Sequence, residues 1–235
     1  MNPRNIARIV GVLFITATVA PILTFYFLDS LGSPDYLVNI AANETKIIQG
    51  VLIELVWALA VLSIPVMLFP VLKKHDEGLA LGFVGFRFLE AVSVLVHSII
   101  LIPLLSISQE YVTAGAPVDS VYHSLGGLLL EAREGAFLIG SGFVWSLSAL
   151  ILNYALLKSK LVPRWLSVWG LVGGVLSLTA YLSQIFSMPL TDWLFFPIAL
   201  QEMVFAAWLI VKGFNSTASI PNLPNRNKRD KRSSI

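Results

Sequence analysis

Arg87, Glu90 and His97 stand in the apolar run GFRFLEAVSVLVH, residues 85–97, and Glu54 and Glu202 stand in two further runs that are otherwise nearly all hydrophobic. Moving a guanidinium or a carboxylate out of water costs several kcal/mol or more unless the charge is paired, so these groups must have partners or work to do. One arginine held by two carboxylates leaves a surplus negative charge in a low dielectric. Protonating one acid, binding a cation or admitting water would relieve that surplus. Imidazole with carboxylates could also hold zinc, iron or manganese, and Glu54, His97, Glu134 and His123 are the residue types for it. No close ligand spacing such as HExxH supports such a site, and a hydrogen-bonded histidine is the plainer expectation.

The elements that position these residues follow from composition. Hydrophobic residues make up 56% of the 235-residue chain and charged residues 13%, about half the charge of an ordinary globular domain. Six stretches, roughly 6–28, 47–72, 79–105, 126–157, 164–187 and 191–213, are long enough to cross a hydrocarbon core as helices. Their apolar runs are continuous, without the alternation of outer-membrane strands, so helices are the spanning solution that satisfies the backbone. The expected fold is all-α: a polytopic six-helix transmembrane bundle over residues 1–213, followed by a basic tail, 214–235. The first stretch is read as a retained helix, because it is too long for a signal-peptide core and has no small-x-small cleavage site.

Arg4 and Arg8 precede the first span, Lys73 and Lys74 join the second to the third, and Lys158, Lys160 and Arg164 join the fourth to the fifth. Lys212 and the tail cluster Arg226, Lys228, Arg229, Lys231 and Arg232 follow the sixth, while the alternate connections hold only Lys46. By the positive-inside rule both termini are expected in the cytoplasm. The basic tail is expected to anchor topology against anionic lipid rather than to bind nucleic acid. Asp29, Asp35, Glu44, Glu110, Asp119 and Asp192 fall on the outer side, and Ser33-Pro34-Asp35 opens a short helical rhythm read as an interfacial helix. Asn43-Glu44-Thr45 matches a glycosylation sequon that would matter only in a secretory pathway.

A rise of 1.5 Å per residue sorts the buried groups by height above the cytoplasmic boundary. Arg87 comes at roughly 12 Å, with Glu90 and Glu202 at roughly 16 Å, and His97 and Glu54 at roughly 27 Å. In the middle layer Arg87 and Glu90 are three residues apart on one helix and can pair, and Glu202 reaches the same height from the sixth span. These three could equally serve as a clamp between the third and sixth spans. In the outer layer Glu54 and His97 match in height. Glu131, Arg133 and Glu134 of LLLEAREG are expected at the outer boundary as the mouth of a cavity, since 137–157 can span by itself.

Several chemistries are excluded. The chain has no cysteine, so disulfides, thiolate catalysis, iron–sulfur clusters and cysteine-ligated zinc are ruled out. Mid-membrane lysine for a retinal Schiff base is missing, and an intramembrane serine protease built on Gly140-Ser141-Gly142 would want a histidine on the last span, which has none. Gly78 with Gly82, and Gly170 with Gly174, have the small-xxx-small spacing of closely packed helices. Trp145, Trp165, Trp169, Trp193 and Trp208 are expected to form an aromatic belt.

ARIVGVLFI near the amino terminus, FRFLEA in the third span, EAREGAFLIGSGFVWSLSALILNYALLKSKLVPRWLSVWGLVGG across the fourth and fifth, and QEMVFAAWLIVKGFN at the end together resemble the prokaryotic family called domain of unknown function 4386. The resemblance runs from Ala7 to Asn215. Its landmarks fall on Phe86-Arg87, on Leu161 to Gly170 with Pro163 and Arg164, and on Glu202 with Trp208 to Gly213. It implies six helices in the cytoplasmic membrane of a bacterium or archaeon and supplies no reaction. The residues favour binding or translocation of a small polar or cationic solute, or of protons, through a cavity walled by the second, third, fourth and sixth spans. Arg87, Glu90 and Glu202 would form its centre, with Glu54, His97, Arg133 and Glu134 toward the entrance. An intramembrane enzyme acting on lipid, or an accessory or sensory protein, are the competing classes. The expected partners are the bilayer and a small solute or lipid, and no cofactor is designated.

Overall fold

The computed structural model describes residues 2–117, 120–188, 190 and 192–215, with the side chain of Asp192 left out. The basic cluster of the tail and Asp119 lie outside the described residues. Among those described, the chain is helical without strands, and six helical stretches are long and apolar enough to cross a membrane: Pro3–Phe27, Glu44–Leu72, Glu77–Thr113, Val121–Ser159, Arg164–Ile185 and Trp193–Val211. They run up and down, so the chain's amino-terminal end, the 73–76 turn, the 160–163 turn and Gly213 share one face, called here the amino-terminal face. The first, third and fifth connections lie on the far face.

The first span is α1 (Pro3–Phe27), and the second is α3 (Glu44–Leu72). Between them, a 3-10 turn at Asp29–Gly32 and the short helix α2 (Tyr36–Ala42) occupy the stretch where an interfacial helix was expected. The third span breaks at Ile100 into α4 (Glu77–Ile99) and α5 (Leu101–Thr113). Pro103 explains the break, because it lacks the N–H that would bond the Ile99 carbonyl and its ring crowds that turn. The fourth span is α6 (Val121–Ala136), a π-helical stretch at Phe137–Val144 and α7 (Trp145–Ser159). Then come α8 (Arg164–Ile185), a 3-10 turn at Asp192–Phe195 and α9 (Phe196–Val211). Pro197 sits in the first turn of α9, where its missing N–H costs nothing, so it starts that helix rather than kinking it.

The third and fourth stretches, at 37 and 39 residues, exceed the roughly 20 needed to cross the hydrocarbon core, and both extend past the ends expected from hydropathy. Their extra turns, α5 and the start of α6, project on the far face and pack with α2. Leu28, Leu37, Ile40, Ile47, Leu101, Leu104 and Tyr111 form the apolar centre of this cap. His123, outside the six stretches expected from hydropathy, is on α6, where its Nε2 lies 3.0 Å from the Tyr111 hydroxyl and its carbonyl accepts from the Tyr36 hydroxyl at 3.1 Å. At the amino-terminal face a larger apolar cluster, including Phe14, Ile64, Leu68, Phe83, Leu152, Phe205 and Leu209, closes the bundle. The glycine pairs separate in role. A Cβ on Gly82 would meet only ordinary contact, whereas one on Gly170 would fall 2.1 Å from Asn153 Oδ1, so Gly170 is needed for the close approach of the fifth span to the fourth and Gly82 is not needed for that of the third.

Asp76 caps α4, accepting from the Leu79 N–H at 3.0 Å, and pairs with Lys158 at 2.7 Å across the amino-terminal face. The Lys158 ammonium, with help from the Leu79 amide, holds the Asp76 carboxyl below the usual aspartate value. A depressed folded pKa gives stability that is present above the unfolded pKa and lost as pH falls through the folded one. Asn caps a helix as well as Asp but carries no charge. The melting temperature of the purified protein is therefore expected to fall on acidification below about pH 4 more steeply in wild type than in Asp76→Asn.

Candidate functional site

The structure brings Arg87, Glu90 and Glu202 together. Arg87 Nη1 donates to both Glu90 oxygens at 3.3 and 3.2 Å, an i,i+3 pair on α4, while Nη2 donates to Glu202 Oε1 on α9 at 3.3 Å. Trp145 Nε1, at the head of α7, donates to the same Glu202 oxygen at 3.2 Å. The guanidinium carbon lies 5.5 Å from the Phe14 ring centre and 5.6 Å from that of Phe83, close enough for cation–π attraction. Arg87 is 1% exposed and Glu90 2%, whereas Glu202 is 9% exposed, so Glu202 is the member that open space reaches.

That open space is a cavity of about 380 Å³ lined by Arg87, Glu90 and Glu202 together with Phe14, Thr18, Trp57, Phe137, Ser141, Trp145, Tyr181 and Phe195. The first and fifth spans help to wall it, which corrects the expectation of four walls from the second, third, fourth and sixth. Its surface is largely aromatic and aliphatic, with the charge gathered at one end.

A second cluster lies toward the far face. Arg133 Nη1 donates to Glu54 Oε2 at 3.2 Å and to the His97 carbonyl, and Nη2 donates to Glu54 Oε1. Ser98 Oγ adds a bond to Glu54 Oε2 at 2.7 Å. His97 Nδ1 stands 3.2 Å from Glu54 Oε1, with no hydrogen bond made from that nitrogen. Arg133 was expected at a solvated boundary with Glu131 and Glu134, and it is instead 5% exposed and locked to Glu54. The reason is the cap: α6 starts at Val121, outside the span expected from hydropathy, so Arg133 is three turns into a helix already packed on protein. Glu131 and Glu134 are exposed. Glu134 lines a second cavity of about 360 Å³ with Asp29, Gly32, His97 and Arg133.

Pro21, Phe25, Trp57 and Phe137 line both cavities, so the two adjoin. His97 meets Trp57 at 6.4 Å and Phe137 at 5.8 Å between ring centres, and Trp57 meets Phe137 at 6.4 Å, an aromatic partition between the far cavity and the central one. Phe137 opens the π-helical stretch, a rare conformation that occurs often at functional sites. Glycines let its neighbours approach: a Cβ on Gly140 would fall 1.9 Å from Ser93 Cβ, and one on Gly142 would fall 2.4 Å from the Tyr181 ring. Gly140→Ala is expected to destabilise the protein by about 1–3 kcal/mol, with most of the loss recovered by Ser93→Gly in a double-mutant cycle of thermal melts.

Among the described residues, no group of three or more His, Asp and Glu side chains is placed to hold a metal ion, and His123 belongs to the cap. Sequence reasoning passed over Trp57, Phe137 and Tyr181, and it placed Trp145 in an interfacial belt when the ring is bonded to Glu202 inside the bundle. Small residues around Ser141 were the one visible signal for this region, since they allow close helix contact.

A family described as a domain of unknown function (DUF4386) matches residues 9–213, the whole of the helical bundle from the second turn of α1 to the end of α9. The chain belongs to the DUF4386 family. No curated protein and no solved structure matches it. Arg87, Glu90, Trp145 and Glu202 all lie inside the matched region, as do Glu54, His97, Arg133 and Glu134, so both clusters of this DUF4386 chain are part of the family domain.

Proposed function

We propose that this DUF4386 protein takes a small cationic or polar solute, or protons, from the far face into the central cavity and passes it across the membrane. The observation that supports it is the pair of adjoining cavities, one rimmed by Asp29 and Glu134 and the other ending on Arg87, Glu90 and Glu202. Formal charges of −2 against +1 at the inner end favour a positive guest in a low-dielectric site. The outer cluster is balanced, Arg133 against Glu54, so it serves as a rigid frame for the passage rather than as a second cation site. Toward the amino-terminal face the apolar cluster around Phe14, Phe83 and Phe205 blocks the way, and passage requires it to part. Lysines and arginines concentrated at the amino-terminal face favour that face inside, and the family resemblance favours the cytoplasmic membrane of a prokaryote.

Proteoliposome flux tests the proposal. Wild-type protein is expected to support uptake or counterflow of a cation, or acidification of the lumen under an imposed potential. Glu202→Gln should reduce that flux at least tenfold while the protein still reconstitutes and melts cooperatively. Equal flux in wild type and variant would remove the cluster from the pathway.

A further inference from the structure

Resting on that reading of the same site, we infer that the central cavity selects a monovalent organic ammonium with an apolar body, in preference to protons or inorganic cations. The cavity, about 380 Å³, falls within the range of roughly 300–1,000 Å³ usual for small-molecule sites and far exceeds the ~30 Å³ share of one water. A proton relay needs no such volume. Inorganic cations want several oxygen ligands around them, roughly six to eight for a calcium-sized ion, and here the wall offers two carboxylates, Glu90 and Glu202, both already held by Arg87. Aromatic side chains make up much of the remaining wall: Phe14, Trp57, Phe137, Trp145, Tyr181 and Phe195 all border the space, with the Tyr181 and Phe195 rings tilted against each other at 4.5 Å between centres. Rings around a carboxylate are the chemistry that holds alkylated ammonium groups, by cation–π attraction and burial of the alkyl surface.

Two polar details point the same way. Glu202 is tethered through Oε1 by Arg87 and Trp145, which fixes it in place and leaves it the most accessible charge of its cluster. Ser141, 6% exposed, borders the cavity with its Oγ buried and without a protein partner, an oxygen whose lone pairs are left available to the positive end of a guest. Glu90 receives both its bonds from one Arg87 nitrogen, so an anion would meet two carboxylates already competing for that arginine.

The probe is benzyltrimethylammonium, titrated calorimetrically into the full-length protein in lipid nanodiscs alongside its neutral isostere neopentylbenzene and sodium ion. Saturable binding of the ammonium, at least tenfold tighter than the isostere, is expected, with at least a tenfold loss in Glu202→Gln. Ser141→Val fills cavity volume, removes an unpaired hydroxyl and leaves the charges alone, so it should fold as well as wild type and still bind several-fold more weakly. Competition by phosphatidylcholine, absent with phosphatidylglycerol, would assign the ammonium to a lipid headgroup, and equal binding in both would assign it to a free solute. Equal affinity for the neutral isostere, or unchanged binding in both variants, overturns the inference. Should the ammonium fail to bind while Glu202-dependent proton or sodium flux persists, this inference falls and the transport reading stands; absence of both removes both.

Discussion

Replacing Arg87 by alanine is expected to cost about 3–5 kcal/mol of stability, the range for breaking a buried ion pair by removing one partner. Glu90 and Glu202 would be left facing each other with no cation between them, in a site where Arg87 is 1% exposed. Phe14 and Phe83 would also lose the guanidinium they flank. Neutralising both acids in Arg87→Ala/Glu90→Gln/Glu202→Gln should recover most of the loss, because the unpaired charge rather than lost packing dominates. Thermal melts in one detergent would show it as a low melting temperature restored in the triple variant. A triple variant as unstable as the single one would mean that the cost comes from the void left by the arginine.

Arg133→Ala is the second large effect, again about 3–5 kcal/mol. Glu54 is fully buried, and without Arg133 it keeps one hydrogen bond, from Ser98. Arg133 also covers the His97 carbonyl in the last turn of α4, where the helix breaks and carbonyls lack their usual partners. One side chain thus closes two demands at the junction of α3, α4 and α6. Lysine carries the charge on a single point and cannot reproduce a forked contact to both carboxylate oxygens and a carbonyl. Arg133→Lys is expected to fall between wild type and Arg133→Ala, and Glu54→Gln should relieve the alanine variant. If lysine restores full stability, charge alone suffices and the fork is incidental.

Six spans were legible because long apolar runs admit one solution in a bilayer, and helical rise set Glu202 level with Arg87 and Glu90, while the contact itself came from the packing of the bundle. Arg133 was misplaced because hydropathy marks where a membrane can begin, not where a protein-built cap lets a helix begin earlier; α2 and α5 supply that cap through contacts between distant parts of the chain. Trp145 was read into an interfacial belt and Trp57 escaped notice, since a tryptophan in an apolar run reads the same whether it faces lipid or a carboxylate. The first span's share of the cavity was invisible for a related reason: α1 brings no ionisable group to that depth, and heights were assigned only to charges. Nothing in residues 137–144 announces a π-helix beyond the small residues Gly140, Ser141 and Gly142.

Absence of cysteine makes one direct measurement available. Ser141→Cys places a single thiol at the cavity wall beside the charge cluster, and its rate of reaction with a trimethylammonium-bearing thiosulfonate can be compared with that of a sulfonate-bearing one. Both rates are normalised to a small neutral thiosulfonate, which cancels differences in thiol reactivity and access. A cavity made to receive cations from the far face predicts that the cationic reagent reacts at least tenfold faster than the anionic one when added from that side, and that Glu202→Gln erases most of the preference. Equal normalised rates for the two reagents, or a preference for the anion, would contradict the account.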